Sequence, residues 1–302
     1  MQKIRVADFV ASFIKKIGVD CVFMVPGGGA MFLNDAIQCK KGLNYVANHN
    51  EQASSISAEA YSRVTENIGV AIVTTGPGST NAITGVAGAW IESVPLMIIS
   101  GQVKRSDLKG KTGVRQMGPQ EVDIVTIVKS ITKYATTIKD PSKIKSELEK
   151  AYYLATTGRK GPVWIDIPLD IQASTIEPSK LLGFKKLPSN KGPVRSFSKY
   201  NEIITLINSS KRPIILAGHG IRLSKASKDF IKMCKILKIP VVTTWNAMDL
   251  LESTSKLNIG KPGSVALRAP NFAIQNSDLL ISIGARLDNV VTAYNPKNFA
   301  KN

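Results

Sequence analysis

"GVAIVTTGPGSTNAITGVAGAW", residues 69–90, decides the fold. Its first part, "GVAIVTT" (69–75), is an apolar run without polar alternation and rich in β-branched residues, the pattern of a strand buried on both faces. Gly76-Pro77-Gly78 then breaks the strand, and Ser79 or Thr80 is placed to cap a helix built of small residues. Ala82, Gly85, Gly88 and Ala89 on that helix would let a second backbone or a covered ligand come close. A helix start at this point can hold an anion, and a tightly packed strand-helix turn accounts for the same residues.

Four further runs of the same kind flank this unit: "CVFMV" (21–25), "LNYVA" (43–47), "PLMIIS" (95–100) and "PVWIDI" (162–167). Between them "EQASSISAEAYSRVTE" and "STNAITGVAGAWIES" read as helices, so the repeating unit is strand, helix, strand. The spacing predicts an α/β, doubly wound parallel-sheet domain over residues 1–173. At its start, Val6, Phe9, Val10, Phe13, Ile14 and Ile17 fall at helical spacing with Asp8 and Lys15 on other faces, a core-facing helix and not a secretory leader. Residues 174–198, "STIEPSKLLGFKKLPSNKGPVRSFS", lose this periodicity and read as a linker. Beyond it "PIILAG" (213–218), a helix around "KASKDFIKMCKIL", "IPVVTT" (239–244) and "DLLISIG" (278–284) begin a second, Rossmann-like parallel sheet over 199–302. With no closing element after "NPKNFAKN", that domain is expected to be truncated.

Composition narrows the class. The 302 residues are 43% apolar and 21% charged, an ordinary globular balance, and no stretch of about 18 apolar residues predicts a membrane span. Cys21, Cys39 and Cys234 lie far apart without a C-x-x-C, which argues against a disulfide framework or a zinc site and fits a reducing, cytoplasmic setting. The net charge of +18 comes from scattered lysines in clusters such as "SKIKSELEK", without interleaved aromatics. It reads as a solvated surface and not as a nucleic-acid interface.

Two more stretches hold candidate site residues. "VPGGGAMF" (25–32) follows the first strand, yet it lacks the Lys-Ser/Thr of a P-loop and has Phe32 where a dinucleotide fingerprint needs its third glycine. What remains is either a tight turn or a point of approach too close for a Cβ. In "NHNEQASSISAEAYSR" (48–63) Asn50 can cap a helix whose first turn holds Glu51, and capping explains such a glutamate on its own. Ala53, Ile56, Ala60 and Val64 are expected to form the buried stripe, with Glu59 and Arg63 paired on another face. His49, lacking a matching nucleophile or acid, reads as a hydrogen-bonded loop histidine.

Taken in order, the P-G-G loop, H-N-E-Q-A, T-T-G-P-G-S-T-N (74–81), "SGQV" (100–103), "PQEVDIV" (119–125) and "TTGRKGPVWIDIP" (156–168) resemble the thiamine-diphosphate enzymes, in particular their acetolactate (acetohydroxyacid) synthase-like branch. "IPVVTTWNAM" (239–248) and "NSDLLISIGARLDNVVT" (276–292) are similar to that branch's central domain. The resemblance implies that the first domain binds the aminopyrimidine end of thiamine diphosphate. Glu51 matches the glutamate whose carboxyl hydrogen-bonds ring nitrogen N1′, so that the exocyclic nitrogen can take the C2 proton. Gln120 matches a glutamine facing the substrate, a 2-oxo acid such as pyruvate, and Gly28, Thr75 and Gly76 match positions beside the cofactor. Arg159, Gly218, Gly220, Thr244, Gly284 and Arg286 match positions that contact FAD in the synthases. A homodimer or homotetramer is also implied.

Three departures accompany the match. Pro119 replaces a phenylalanine before Gln120, within the longer segment "KRSDLKGKTGVRQMGPQ", which leaves the acceptor open and admits a keto-sugar nucleotide. "GSVALRAPN" (263–271) replaces the flavin-side loop. No G-D-G followed at distance by N-N occurs, so the domain that would hold Mg²⁺ and the diphosphate is missing, no metal ligand is expected here, and the chain alone is expected to be inactive. The competing expectation is a non-catalytic flavin-binding or subunit-association module.

Overall fold

A computed structural model describes residues 3–185 and 197–301, which divide into two units, Met1–Pro188 and Ser189–Asn302. In the first, β1 (Ile4–Arg5) leads into α1 (Val6–Lys16), followed by β2 (Cys21–Met24), α2 (Met31–Cys39), β3 (Asn44–Ala47), α3 (Glu51–Thr65) and β4 (Gly69–Val73). Then come α4 (Pro77–Asn81), α5 (Ile83–Glu92), β5 (Leu96–Gln102), α6 (Ile124–Val128), β6 (Tyr134–Thr137), α7 (Ile144–Thr156), β7 (Val163–Pro168), α8 (Leu169–Ala173) and β8 (Thr175–Ile176). Strands β2 to β7 form one six-stranded parallel sheet in the order β3-β2-β4-β5-β7-β6.

The unalternating strands are buried as their sequence requires. Along β4, Val70 and Ile72 point into a layer with α1, α2 and α7, and Ala71 and Val73 into a second layer with α3, α5 and α6. β5 and β7 divide in the same way, Trp164 filling the second layer. Each such buried aliphatic side chain contributes about 1.5–3 kcal/mol relative to exposure. The expected β3 is correct in position but is an edge strand, exposed at all four residues. β6, "YATT", has no apolar run and was not foreseen.

Helix α3 corrects the expected stripe. Its buried residues are Ser54, Ser55, Ala58 and Ser62, while Ile56 is 44% and Val64 85% exposed. The reason is close approach: a Cβ on Gly69 would stand 1.8 Å from the Ala58 carbonyl oxygen, and one on Gly85 2.4 Å from Ser55 Oγ. Only small side chains fit between α3 and its neighbours, so the larger apolar ones face outward. The turn before α4 also departs from expectation. Gly76, at φ +62°, is the N-cap and Pro77 the first helical residue, while Ser79 Oγ donates to the Thr74 carbonyl at 2.6 Å.

The segment expected to be a linker begins with ordered chain. β8 pairs antiparallel with β1, Leu181 is buried, and the Phe184 N–H donates to Glu149 Oε2 at 2.7 Å with its ring 5.6 Å from that of Tyr153. These contacts place residues 174–185 with the first unit; of the rest of the expected linker, 186–196 lie outside the described residues and 197–198 already belong to the first helix of the second unit.

The second unit comprises α9 (Phe197–Ser209), β9 (Pro213–Ala217), α10 (Gly220–Leu223), α11 (Ser227–Leu237), β10 (Val241–Thr243), β11 (Asn258–Gly260), α12 (Arg268–Gln275) and β12 (Leu279–Ile283). Its four strands are parallel, in the order β11-β10-β9-β12. Ile215 and Ala217 pack toward α10 and α11, Ile214 and Leu216 toward α12, a second two-layered α/β core. All three cysteines are free. Among the described residues no helix is long and apolar enough to cross a membrane.

Candidate functional site

In an open parallel sheet a crevice opens where successive connections leave a strand in opposite directions. In the first unit that point lies between β2 and β4: from β2 the chain moves outward to β3, then crosses back to β4 and onward. The turns at the carboxyl ends of these strands are the two glycine stretches, residues 25–30 and 74–78.

The triple glycine divides by role. A Cβ on Gly27 would lie 2.5 Å from Thr74 Cβ, and one on Gly29 2.7 Å from Thr75 Cγ2. The Gly29 N–H donates to Thr74 Oγ1 at 3.1 Å. Gly28, by contrast, has nothing within 4 Å of the place its Cβ would take. The two outer glycines let the loop sit on the β4 turn, and the middle one faces open space.

Glu51 stands at the first turn of α3, after the Asn50 cap whose Oδ1 accepts from the Ala53 N–H at 2.8 Å. Glu51 is half-buried; Oε2 accepts from Asn81 Nδ2 at 2.8 Å, and a Cβ on Gly78 would sit 3.1 Å from Oε1. The carboxylate is therefore held from one side by an amide, with the missing Gly78 side chain leaving room at its other oxygen. His49 is exposed in the preceding turn with no hydrogen bond to another described residue, unlike the bonded loop histidine expected. Glu59 and Arg63 pair as foreseen, with Nε to Oε1 at 2.7 Å.

Thr75, Gly76 and Gln120 come together. Thr75 is buried, its hydroxyl lying 2.8 Å from Gln102 Oε1 and 3.0 Å from the Gln120 carbonyl. A Cβ on Gly76 would be 2.4 Å from that same carbonyl, so glycine is required both by φ and by space. The Gln120 side chain itself is exposed. Its segment is braced by Glu121, which accepts from the Lys109 N–H at 2.7 Å and the Met117 N–H at 3.0 Å.

Sequence reasoning missed two polar residues behind this turn, Gln102 and Asp166. Asp166 is 1% exposed, and burial pushes its pKa up to about 6, against hydrogen bonds from Ser100, Gln102 and Thr137 that favour the charged form. The signal was present in "SGQV" and "WIDIP": a glutamine and an aspartate toward the carboxyl ends of strands that are apolar over most of their length.

The remaining candidates lie elsewhere. Arg159 precedes β7, at the amino-terminal edge of the sheet and away from Glu51, where its Nε donates to Ser93 Oγ at 2.8 Å. In the second unit the switch point falls between β9 and β12, and Gly218, Gly220 and Gly284 meet there. The Gly218 N–H donates to the Ile283 carbonyl and the Gly220 N–H to that of Gly284, both at 2.9 Å. A Cβ on Gly218 would be 2.2 Å from the Gly284 oxygen. Thr244, at the end of β10, donates its N–H to the Ala217 carbonyl at 2.9 Å, and exposed Arg286 lies 3.5 Å from Asp288. Among the described residues no group of three or more His, Cys, Asp or Glu could hold a metal ion.

Both units match known protein families. Residues 4–127 match the family model "Thiamine pyrophosphate enzyme, N-terminal TPP binding domain", and residues 200–302 match "Thiamine pyrophosphate enzyme, central domain". The chain is 36% identical over 298 residues to an acetolactate synthase large subunit of Lactococcus lactis, covering 98% of this chain and 50% of the relative. It is 34% identical over 294 residues to that of Haemophilus influenzae, covering 97% and 50%, and 34% identical to a probable one of Methanocaldococcus jannaschii, covering 95% and 48%. The chain thus spans about half the length of the curated relatives it matches.

Proposed function

The chain belongs to the thiamine pyrophosphate enzymes, of which it carries the N-terminal and central domains, and we propose that it is the aminopyrimidine-activating part of an acetolactate synthase-like carboligase or decarboxylase acting on a 2-oxo acid such as pyruvate. The observation that carries this reading is the Glu51 carboxylate in the switch-point crevice, held by Asn81 and left room by Gly78. Open space at Gly28 and the missing Gly78 side chain fit a planar ring against the two turns. When bound, thiamine diphosphate supplies the electron sink for decarboxylating a 2-oxo acid. Glu51 would hydrogen-bond a ring nitrogen of the cofactor through Oε1, the oxygen beside Gly78, while Asn81 Nδ2 at Oε2 fixes the carboxyl plane. Thr75 and Gly76 set the floor beside it, and Gln120 faces the substrate.

Mg²⁺ and the diphosphate would be held by residues other than these 302. For FAD the support lies within the second unit, whose glycines and Arg286 stand at a second switch-point crevice; Arg159 is carried on the resemblance alone. A homo-oligomer would cover the outward face of α3 and α5, where Ile56, Val64, Trp90 and Ile91 are exposed. A cytoplasmic setting rests on the cysteine pattern, and one relative, from Brassica napus, is named a chloroplastic synthase. The non-catalytic alternative is not favoured, because the relatives are named synthases and Glu51 is in place. The holoenzyme is expected to consume pyruvate only with thiamine diphosphate present. Cofactor-independent turnover, or none on any 2-oxo acid, would contradict the proposal.

A further inference from the structure

Behind the Thr75-Gly76 turn runs a buried polar chain that the proposed chemistry does not use. Asp166 accepts from Ser100 Oγ at 2.6 Å, Gln102 Nε2 at 3.2 Å and Thr137 Oγ1 at 3.0 Å. Trp164 Nε1 donates to Ser100 Oγ at 2.8 Å, which leaves the serine proton for Asp166. Three donors converge on one side chain, and an ionised carboxylate, an acceptor only, matches them.

That match settles the orientation of Gln102. Its Nε2 donates to Asp166 and to the Val122 carbonyl at 3.0 Å, so Oε1 is left to accept from Thr75 Oγ1 at 2.8 Å and from the Val103 N–H at 2.9 Å. A flipped amide would set its oxygen against two acceptors. Gln102 therefore bridges the two elements, donating to the Val122 carbonyl of the 118–122 segment and accepting from Thr75 of the turn, whose single hydroxyl proton also lies within 3.0 Å of the Gln120 carbonyl.

We infer that Gln102 and Asp166 are positioning residues: the carboxylate orients the amide, and the amide clamps the Gln120 segment to the Thr75-Gly76 turn, fixing where Gln120 stands over the crevice. The consequence for turnover rests on the proposed role of Gln120; the clamp itself does not.

The test is backbone ¹⁵N relaxation on the full chain. In the wild type, Gly118, Gln120, Glu121 and Val122 are expected near the rigid limit, with order parameters of about 0.85, falling below about 0.6 in Gln102→Leu while β4, β5 and β7 keep their values. Asp166→Asn, which turns an amide N–H toward one of three donors, should shift the same residues in the same direction. Thr137→Val, which removes a donor outside the Gln102 arm, should leave them rigid. A segment that stays rigid in Gln102→Leu overturns the inference, and so does loosening that is equal in Thr137→Val or spread through the sheet. Where Gln102→Leu fails to fold, Thr75→Val tests the clamp from the turn side and Thr75→Ser should restore it. In the holoenzyme, Gln102→Leu should lower kcat at least tenfold with cofactor affinity retained. A loosened segment with unchanged kcat confirms the clamp and contradicts instead the assignment of Gln120 to the substrate.

Discussion

The two switch-point crevices use glycine in opposite ways. In the first unit the missing Cβ atoms face side chains or backbone from other turns: Thr74 and Thr75 at Gly27 and Gly29, Glu51 at Gly78, the Gln120 carbonyl at Gly76. In the second, Gly218, Gly220 and Gly284 face one another, backbone on backbone. The first arrangement makes room around functional groups; the second brings two strand-end turns into backbone contact. Chemistry is thus expected in the first crevice, and shape recognition in the second.

The sharpest way to break this comparison is to add a methyl group on each side of it. Gly218→Ala drives a Cβ against the Gly284 oxygen and should cost about 3 kcal/mol or more in urea unfolding of the second unit. Gly28→Ala meets nothing and should change stability by less than about 0.5 kcal/mol, while weakening thiamine diphosphate binding to the holoenzyme. Similar destabilisation by both would remove the distinction.

Acid should separate the units by sign. Asp166 in the first titrates at about 6, above the 3.8 of a free aspartate, so between those values the native state binds more protons than the unfolded chain and stability falls as pH rises. The whole effect is roughly 3 kcal/mol, and it should vanish from the pH dependence of Asp166→Asn. In the second unit, Asp278 is held down to about 2 by the Ser210 hydroxyl and the backbone N–H groups of Lys211 and Arg212. Its contribution is present above pH 3.8 and is lost as pH falls through about 2, an acid sensitivity that Asp278→Asn should lack. Parallel pH profiles for wild type and both variants would contradict these assignments.

Smaller effects concern α3. Asn50→Ala removes the cap beneath Glu51 and should cost about 1 kcal/mol by thermal unfolding. Val64→Ser, on the exposed face, should stay within about 0.5 kcal/mol and, where the proposed homo-oligomer forms through this face, weaken it in sedimentation.

The strands of both sheets were legible because burial on two faces imposes unbroken apolar runs, as in "GVAIV" and "PIILA". Two of the four edge strands of the parallel sheets, β6 and β11, carry no such run and escape the sequence, while β3 and β12 are located by theirs, without any sign in the sequence that β3 is exposed. The α3 stripe was misread because helical periodicity ranks side chains by polarity, whereas Gly69 and Gly85 bring the neighbouring backbone too close for anything larger than serine or alanine on the inner face. The two glycine turns stand out at strand ends, whereas Glu51 on its own reads as a residue of a capped first turn and takes its role only from the resemblance carried by the order of the motifs. Gln102 and Asp166 escaped because their meaning lies in partners 64 to 66 residues apart, contacts that only the folded sheet creates.

The account turns on Glu51. Proton exchange at C2 of thiamine diphosphate bound to the holoenzyme, followed by NMR after quenching in D₂O, should be rapid in the wild type and nearly abolished in Glu51→Gln while the cofactor stays bound. Exchange at the wild-type rate in that variant would contradict the central claim.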